Sequence, residues 1–155
     1  MASYSRIFAA LDGDSTQEAV ARRTLSIAHD NHADVLFGHV VDSRPYESSG
    51  IDFSALMDDC LQKIEEALAP YLARARNDEC IPSVDVKVVV GRVTDVIMGS
   101  LIEPFEPDLI VCGVRGLSRV KYAFVGSVST HLVHYASCDV LVVHPDAIEA
   151  PDWIQ

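Results

Sequence analysis

The sequence predicts an α/β protein with a single doubly wound, five-stranded parallel sheet in the order 3-2-1-4-5 and helices on both faces. Short, nearly continuous apolar runs recur along the chain, as is typical of strands covered on both faces. Segments of helical periodicity separate these runs, which favours parallel strands joined by right-handed crossovers. With 155 residues and a hydrophobic share of 49%, the chain fits one globular domain. We assign residues 1–146 to this domain and residues 147–155 to a C-terminal tail.

The first strand and the first helix follow from the N-terminal segment. Residues 7–11 form a short apolar run that ends at the turn 12–14. Ser15 stands three residues before Glu18, a capping-box spacing that predicts a helix start. Apolar residues then recur at helical intervals as far as about Asn31, so a helix should connect the first two strands.

The middle of the chain contains two further strands and a long amphipathic segment. The second strand, residues 34–41, leads into a polar loop at 42–50. From Met57, apolar residues recur at three- and four-residue steps, which predicts one amphipathic helix ending near Arg76. The third strand, residues 84–90, first alternates and then becomes fully apolar.

The last third completes the sheet. A shorter helix precedes the fourth strand, which covers residues 109–112. Another helix should start after Ser127 and turn Leu132 and Val133 inward. The fifth strand covers residues 140–143 and stops at the His-Pro pair that follows it.

Composition excludes several classes of protein. The chain has 23 Asp and Glu against 12 Lys and Arg, so it lacks the basic balance that nucleic-acid binding needs. Its four cysteines are widely spaced and contain no CxxC pair, so we expect reduced thiols and no metal site. No apolar stretch approaches the roughly 18 residues that span a bilayer, and the N-terminal run is too short for a signal peptide. These observations predict a cytoplasmic protein that binds neither nucleic acid nor membrane.

The loop after the fourth strand has the features of a phosphate site. It combines three glycines with a serine at a helix start: Gly113, Gly116, Gly126 and Ser127. Glycines permit close approach to the main chain, and a helix N-terminus offers free N–H groups. Between Asp108 and Asp139 there is no acidic residue, whereas the same window carries three bases: Arg115, Arg119 and Lys121. Spacing alone leaves open a plain strand-to-helix turn with Ser127 as its cap.

Other strand ends belong to the same crevice. In doubly wound sheets, ligands bind beyond the carboxyl ends of the strands, where the strand order reverses. Asp12, Val40 and Gly113 all lie at the carboxyl ends of predicted strands, so they should line one crevice. His39, on an apolar strand, is expected to be a packed histidine rather than a catalytic one. A P-loop, a GxGxxG turn and a GxSxG elbow are all absent from the sequence.

The sequence resembles the universal stress protein family. Residues 113–127, GVRGLSRVKYAFVGS, match the nucleotide-binding signature of its ATP-binding subtype, Gly-2x-Gly-9x-Gly-Ser, without a gap. Strand ends along the rest of the chain also look like those of the family: ALDGDS at 10–15, GHVVD at 38–42, VVVG at 88–91, DLIVCG at 108–113 and CDVLVV at 138–143. The resemblance therefore extends over essentially the whole chain.

This resemblance implies a binding site for ATP or AMP. Leu11 and Asp12 would lie beside the adenosine, and backbone groups of Val40 would face the adenine edge. The ribose and phosphates would contact the glycine loop and the helix start: Gly113, Arg115, Gly116, Gly126, Ser127, Val128 and Ser129. Any Mg²⁺ would be held chiefly by the phosphates, with Asp12 or Asp14 as oxygen ligands. Asp14 departs from the small or hydroxyl residue common in the family, and we expect it to point into solvent.

The resemblance also implies a role and an assembly. We expect a stress-response switch whose nucleotide state alters its surface for a protein partner, and a homodimer formed through the fifth strand, Val140 to Val143. No catalytic residues are assigned, and any ATP hydrolysis should be slow because no general base or arginine finger is evident. The alternative is a dimeric interaction module of the same fold that binds no nucleotide. A third hypothesis is an enzyme of the related adenine-nucleotide hydrolase group.

Overall fold

A computed structural model describes residues 3–13, 16–114 and 127–144, and its centre is a five-stranded sheet in the order β3-β2-β1-β4-β5. Every adjacent pair of strands is parallel. The strands are β1 (Arg6–Ala10), β2 (Asp34–Asp42), β3 (Val84–Gly91), β4 (Leu109–Gly113) and β5 (Asp139–Val143). The predicted fold class and strand order are confirmed.

Helices cover both faces of this sheet. They are α1 (Gln17–Asn31), α2 (Phe53–Ala67), α3 (Ala69–Arg76), α4 (Val93–Val96), a π-helical segment (Ile97–Ile102), α5 (Glu103–Phe105) and α6 (Ser127–Tyr135), and a short 3-10 helix spans Arg44–Tyr46. None of the helices in the described ranges has both the length and the apolarity needed to cross a membrane.

Successive side chains of β1 face opposite sides of the sheet, so the core has two layers. Ile7 and Ala9 pack with residues of α1, α2 and α3 on one face. Phe8 and Ala10 pack on the other face with the π-helical segment and with Leu132 of α6. Because both sets are buried, β1 lies at the centre of the molecule, as its continuous apolar run predicted.

The single helix predicted to end near Arg76 is two helices, α2 and α3. The break falls at Leu68, whose φ of −103° and ψ of 7° depart from helical values. Pro70 explains the break, because proline lacks an amide hydrogen and its ring collides with the carbonyl group four residues earlier. Leu68 is nevertheless fully buried, so the apolar face predicted for this segment continues across the break.

Two local predictions are wrong. The residue at the N-cap of α1 is Thr16 rather than Ser15, and its side chain makes no capping hydrogen bond. In α6, Leu132 is fully buried, but Val133 is 55% exposed. Successive helical residues are rotated by roughly 100°, and in α6 this rotation carries Val133 out of the narrow face that Leu132 turns to the core.

Candidate functional site

A cavity of about 550 Å³ opens at the carboxyl edge of the sheet. Residues that end or follow β1, β2, β3 and β4 line it, together with the first turn of α6. Among them are all the residues of the predicted site that the structure describes: Leu11, Asp12, Val40, Gly113, Ser127, Val128 and Ser129. Arg115, Gly116 and Gly126, and also Asp14, lie outside the described residues.

The strand pairing explains why these residues converge. β1 pairs with β2 on one side and with β4 on the other, so chain connections leave the sheet in opposite directions from β1. A crevice forms at such a reversal because the two connecting segments diverge. Just beyond β1, the amide of Leu11 still donates to the carbonyl of Gly38 at 2.8 Å, which fixes the end of β1 beside β2.

Gly113 is at the point where β4, α1 and α6 meet. A Cβ atom at this position would lie 2.7 Å from Oγ1 and 2.8 Å from Cβ of Thr16, which is buried. Contacts this short do not occur, so the close approach of α1 requires a glycine here. The Gly113 carbonyl also accepts a hydrogen bond from Ser129 Oγ at 2.9 Å.

This bond defines the role of the Ser129 side chain. Ser129 is buried, and its single hydroxyl hydrogen is donated to the Gly113 carbonyl, which ties α6 to β4. The hydroxyl is therefore not free to donate to a phosphate. What this residue offers an anion is its backbone amide in the first turn of α6.

The first turn of α6 supplies main-chain donors to the cavity. The opening amides of a helix have no intrahelical acceptor, and the helix dipole adds partial positive charge there. Ser127 is exposed and Val128 is half-buried, and both line the cavity. By contrast, the amide of Val114, directly after β4, donates to the carbonyl of Val143 at 3.0 Å and continues the sheet. Among the described residues, the Val114 amide is therefore used by the sheet, and the main-chain donors that could face the cavity next to β4 are those of the first turn of α6.

His39 supports the turn that follows β1. Its Nδ1 lies 2.8 Å from the carbonyl oxygen of Leu11. Because a carbonyl only accepts hydrogen bonds, Nδ1 carries the proton, and Nε2 is the acceptor when the ring is neutral. The ring also packs under Gly13, whose φ is +80° and whose hypothetical Cβ would be 3.1 Å from Cε1 of His39. The histidine is half-buried, lines the cavity and holds the turn in place.

Charged side chains at the ends of β2 and β3 also line the cavity, and the sequence interpretation missed them. Asp42 and Arg44 form an ion pair with Oδ2 and Nη2 2.6 Å apart. The hydrogen bonds from Arg44 lower the pKa of the Asp42 carboxyl to about 2. Arg92, directly after β3, reaches Glu47 with Nη2 and Oε1 3.7 Å apart.

The missed residues had a signal in the sequence. Asp42 is in register with Gly91, so the carboxyl ends of β2 and β3 lie side by side. Applying the strand-end rule to the third strand as well as to the first, second and fourth would have identified Arg92. The predicted cationic character of the crevice depended on bases outside the described residues. The described lining residues contribute three acids and two bases: Asp12, Asp42, Asp95, Arg44 and Arg92.

The fold and this cavity define a doubly wound α/β protein with a ligand crevice at its switch point. The model of the universal stress protein family matches residues 3–144. A putative universal stress protein of Staphylococcus aureus strain USA300 is 32% identical over 150 residues, which cover 97% of this chain and 90% of the relative. The chain therefore belongs to the universal stress protein family, as the resemblance indicated.

Solved structures agree on the architecture. The universal stress protein UspA from Lactobacillus plantarum superposes with a TM-score of 0.75 at 25% identity, covering 92% of this chain and 99% of its own. The universal stress protein from Archaeoglobus fulgidus in complex with dAMP superposes with a TM-score of 0.60 at 20% identity, covering 90% of this chain and 97% of its own. At this identity the second likeness concerns the fold alone.

Proposed function

We propose that this chain is a cytoplasmic stress-response protein that binds ATP or AMP in the cavity at the carboxyl ends of β1, β2 and β4. The observation that carries the proposal is the convergence of residues at the carboxyl ends of β1, β2 and β4 with the opening turn of α6 on one cavity. Its volume of about 550 Å³ falls within the range of small-molecule sites. A family member in complex with dAMP supports an adenine nucleotide as the class of ligand.

The proposed ligand lies with its adenosine toward β1 and β2 and its phosphates toward α6. Val40 and Ala10 are nearly buried and give the adenosine end an apolar wall, and Leu11 and Asp12 line the cavity beside them. The phosphates accept hydrogen bonds from the first amides of α6, an arrangement that binds phosphate without a P-loop lysine. Mg²⁺, where present, is held through the phosphates, with Asp12, the lining carboxylate directly after β1, as a candidate protein ligand.

The proposed role is regulatory rather than catalytic. ATP or AMP binding changes the surface around the crevice for a protein partner, and hydrolysis is slow. Two copies associate through β5, which stands at the end of the strand order. Val140, Leu141 and Val142 are only half-buried in one chain, and covering an apolar edge strand protects it from non-specific pairing.

The test removes one amide from the start of α6. Ser127→Pro deletes the amide of the first helical residue, a position where proline is tolerated. Ser127→Ala keeps the amide and removes only the hydroxyl, so it is the matched control. A hydrogen bond to a charged group contributes about 1.5–3 kcal/mol, so we expect Ser127→Pro to weaken binding of fluorescent ATP or AMP by about tenfold or more relative to Ser127→Ala.

Equal affinity of Ser127→Pro and Ser127→Ala would contradict binding at the start of α6. Wild-type protein that binds neither nucleotide, and that carries none through purification, would instead favour the dimeric module that binds no nucleotide. Steady-state phosphate release from ATP, measured on the same wild-type protein, tests the regulatory role. Turnover well above the uncatalysed rate would contradict the regulatory role and favour an enzyme that hydrolyses ATP.

A further inference from the structure

A cluster of three different ligand-type side chains lies at the edge of the sheet opposite the cavity. His29 is in the last turn of α1, and Asp78 and Cys80 are in the turn between α3 and β3. One ligand atom from each lies within 4.8 Å of the other two. The ends of α1 and α3 both precede strand starts, so this cluster is remote from the carboxyl edge that carries the nucleotide cavity.

We propose that His29, Asp78 and Cys80 bind a Zn²⁺ ion, with water as the fourth ligand. An imidazole nitrogen, a carboxylate oxygen and a thiolate sulfur are the donors that Zn²⁺ accepts in proteins, and three protein ligands leave one position open. The carboxylate and the thiolate together balance the charge of the ion. Calcium and magnesium prefer oxygen ligands alone, so the donor set favours zinc over both.

The geometry of the turn prepares the carboxylate for this role. The Cys80 amide donates to Asp78 Oδ1 at 2.9 Å. Asp78 Oδ2 is then directed at His29, with its distance to Nδ1 only 2.6 Å. One main-chain bond therefore fixes the carboxylate and holds Cys80 two residues away on the same turn.

Only small movements are needed to accept the ion. In a tetrahedral site with bonds of about 2.0–2.3 Å, ligand atoms are about 3.3–3.8 Å apart. The short contact between His29 and Asp78 must therefore open by about 0.7 Å, and because no separation in the cluster exceeds 4.8 Å, the widest one must close by no more than about 1.5 Å. The side chains of His29 and Asp78 are 33% and 12% exposed, which leaves solvent access for the ion and its water.

The ion would connect elements that are otherwise distant in sequence. His29 and Asp78 are separated by 49 positions, and zinc would fasten the end of α1 to the segment that leads into β3. The simpler interpretation is an ordinary His–Asp pair with a thiol nearby. The two interpretations differ in whether the Cys80 sulfur binds metal, and this difference is measurable.

The experiment uses Co²⁺ as a spectroscopic probe and then Zn²⁺ as a competitor on the untagged, chelator-treated full chain. We expect wild type to bind one equivalent of Co²⁺ with a thiolate-to-cobalt charge-transfer band that Zn²⁺ abolishes. Cys80→Ser should lose the band, and His29→Gln should bind Zn²⁺ at least tenfold more weakly. Cys60→Ser is the matched control, because Cys60 is also half-buried but lies in α2.

A missing band in wild type, or a band that persists in Cys80→Ser, would overturn the proposal. If the variants do not fold, as judged by circular dichroism, wild type still decides the question. Zn²⁺ should then protect Cys80, and not Cys60, from alkylation as mapped by peptide mass, and equal alkylation of Cys80 with and without Zn²⁺ would overturn the proposal. These measurements use no nucleotide, so their outcome is independent of the proposed ATP or AMP site.

Discussion

Gly113→Ala is the substitution with the most direct structural consequence at the proposed site. The added Cβ would lie 2.7 Å from Thr16 Oγ1, 2.8 Å from Thr16 Cβ and 3.2 Å from Val20 Cγ2. Both contacts with Thr16 are shorter than the distance at which carbon and oxygen atoms pack. Thr16 is buried at the N-cap of α1, so it cannot rotate into solvent without moving the helix start. Either β4 or α1 must shift.

We expect Gly113→Ala to lower the free energy of unfolding by about 1–3 kcal/mol, the usual cost of one extra carbon in a packed interior. Thr16→Gly removes both clashing atoms, and glycine is tolerated at an N-cap. The double variant should therefore recover at least about 1 kcal/mol relative to the sum of the single effects. Gly99→Ala is the control, because a Cβ at Gly99 would meet nothing within 4 Å.

Urea unfolding followed by circular dichroism measures all four variants. Strict additivity of Thr16→Gly and Gly113→Ala would refute the steric argument, since a shared clash must appear as coupling. A loss of stability in Gly99→Ala equal to that in Gly113→Ala would refute it as well. A shift of the helix start should also weaken nucleotide binding in Gly113→Ala, because Thr16 and Gly113 both line the cavity.

Arg44→Gln should raise the carboxyl pKa of Asp42 from about 2 toward its ordinary value of 3.8, as followed by NMR titration. Because the pKa of Asp42 is lower in the folded state, its ion pair with Arg44 stabilises the fold above about pH 3.8 and loses this effect as the pH falls toward 2. The unfolding free energies of wild type and Arg44→Gln should therefore differ above about pH 3.8 and converge near pH 2. Leu132→Ala should cost about 2–5 kcal/mol of unfolding free energy, whereas Val133→Ser should stay within about 0.5 kcal/mol; similar losses would contradict the observed orientation of α6. Sedimentation should show a dimer that Val140→Lys dissociates and Val133→Lys does not, and a dimer that survives Val140→Lys would exclude β5 as the interface.

Strand positions could be predicted closely because their signal is local. The strand predicted at 109–112 is observed as Leu109–Gly113, and the strand predicted at 7–11 is observed as Arg6–Ala10. The helix break before α3 was also readable, since Pro70 stands in the predicted helix and proline ends or kinks helices. The orientation of Val133 could not be predicted from the sequence, because a nine-residue helix with several apolar residues does not by itself define which of its faces is buried.

The site was predictable to the extent that backbone position defines it. Leu11, Val40 and Gly113 follow directly from strand ends, and Arg92 follows from the same rule. The contact between Thr16 and Gly113 depends on how α1 approaches β4, which no local pattern encodes. The proposed zinc site could not be predicted from the sequence either. His29 and Asp78 are 49 positions apart, so they do not form a short ligand motif that a sequence pattern could reveal.

The charges around the cavity favour one orientation of the proposed nucleotide. Arg44 and Arg92 are the described bases that line it, and both are paired with carboxylates, Asp42 and Glu47. A phosphate placed beside them would also approach those acids, and two like charges about 4 Å apart repel by about 4 kcal/mol at an effective dielectric constant of 20. Another part of the lining begins at Ser127, in a stretch of sequence without acids between residues 108 and 139. The proposal that the phosphates lie at the start of α6 and the uncharged adenine ring on the β2 side is consistent with these charges.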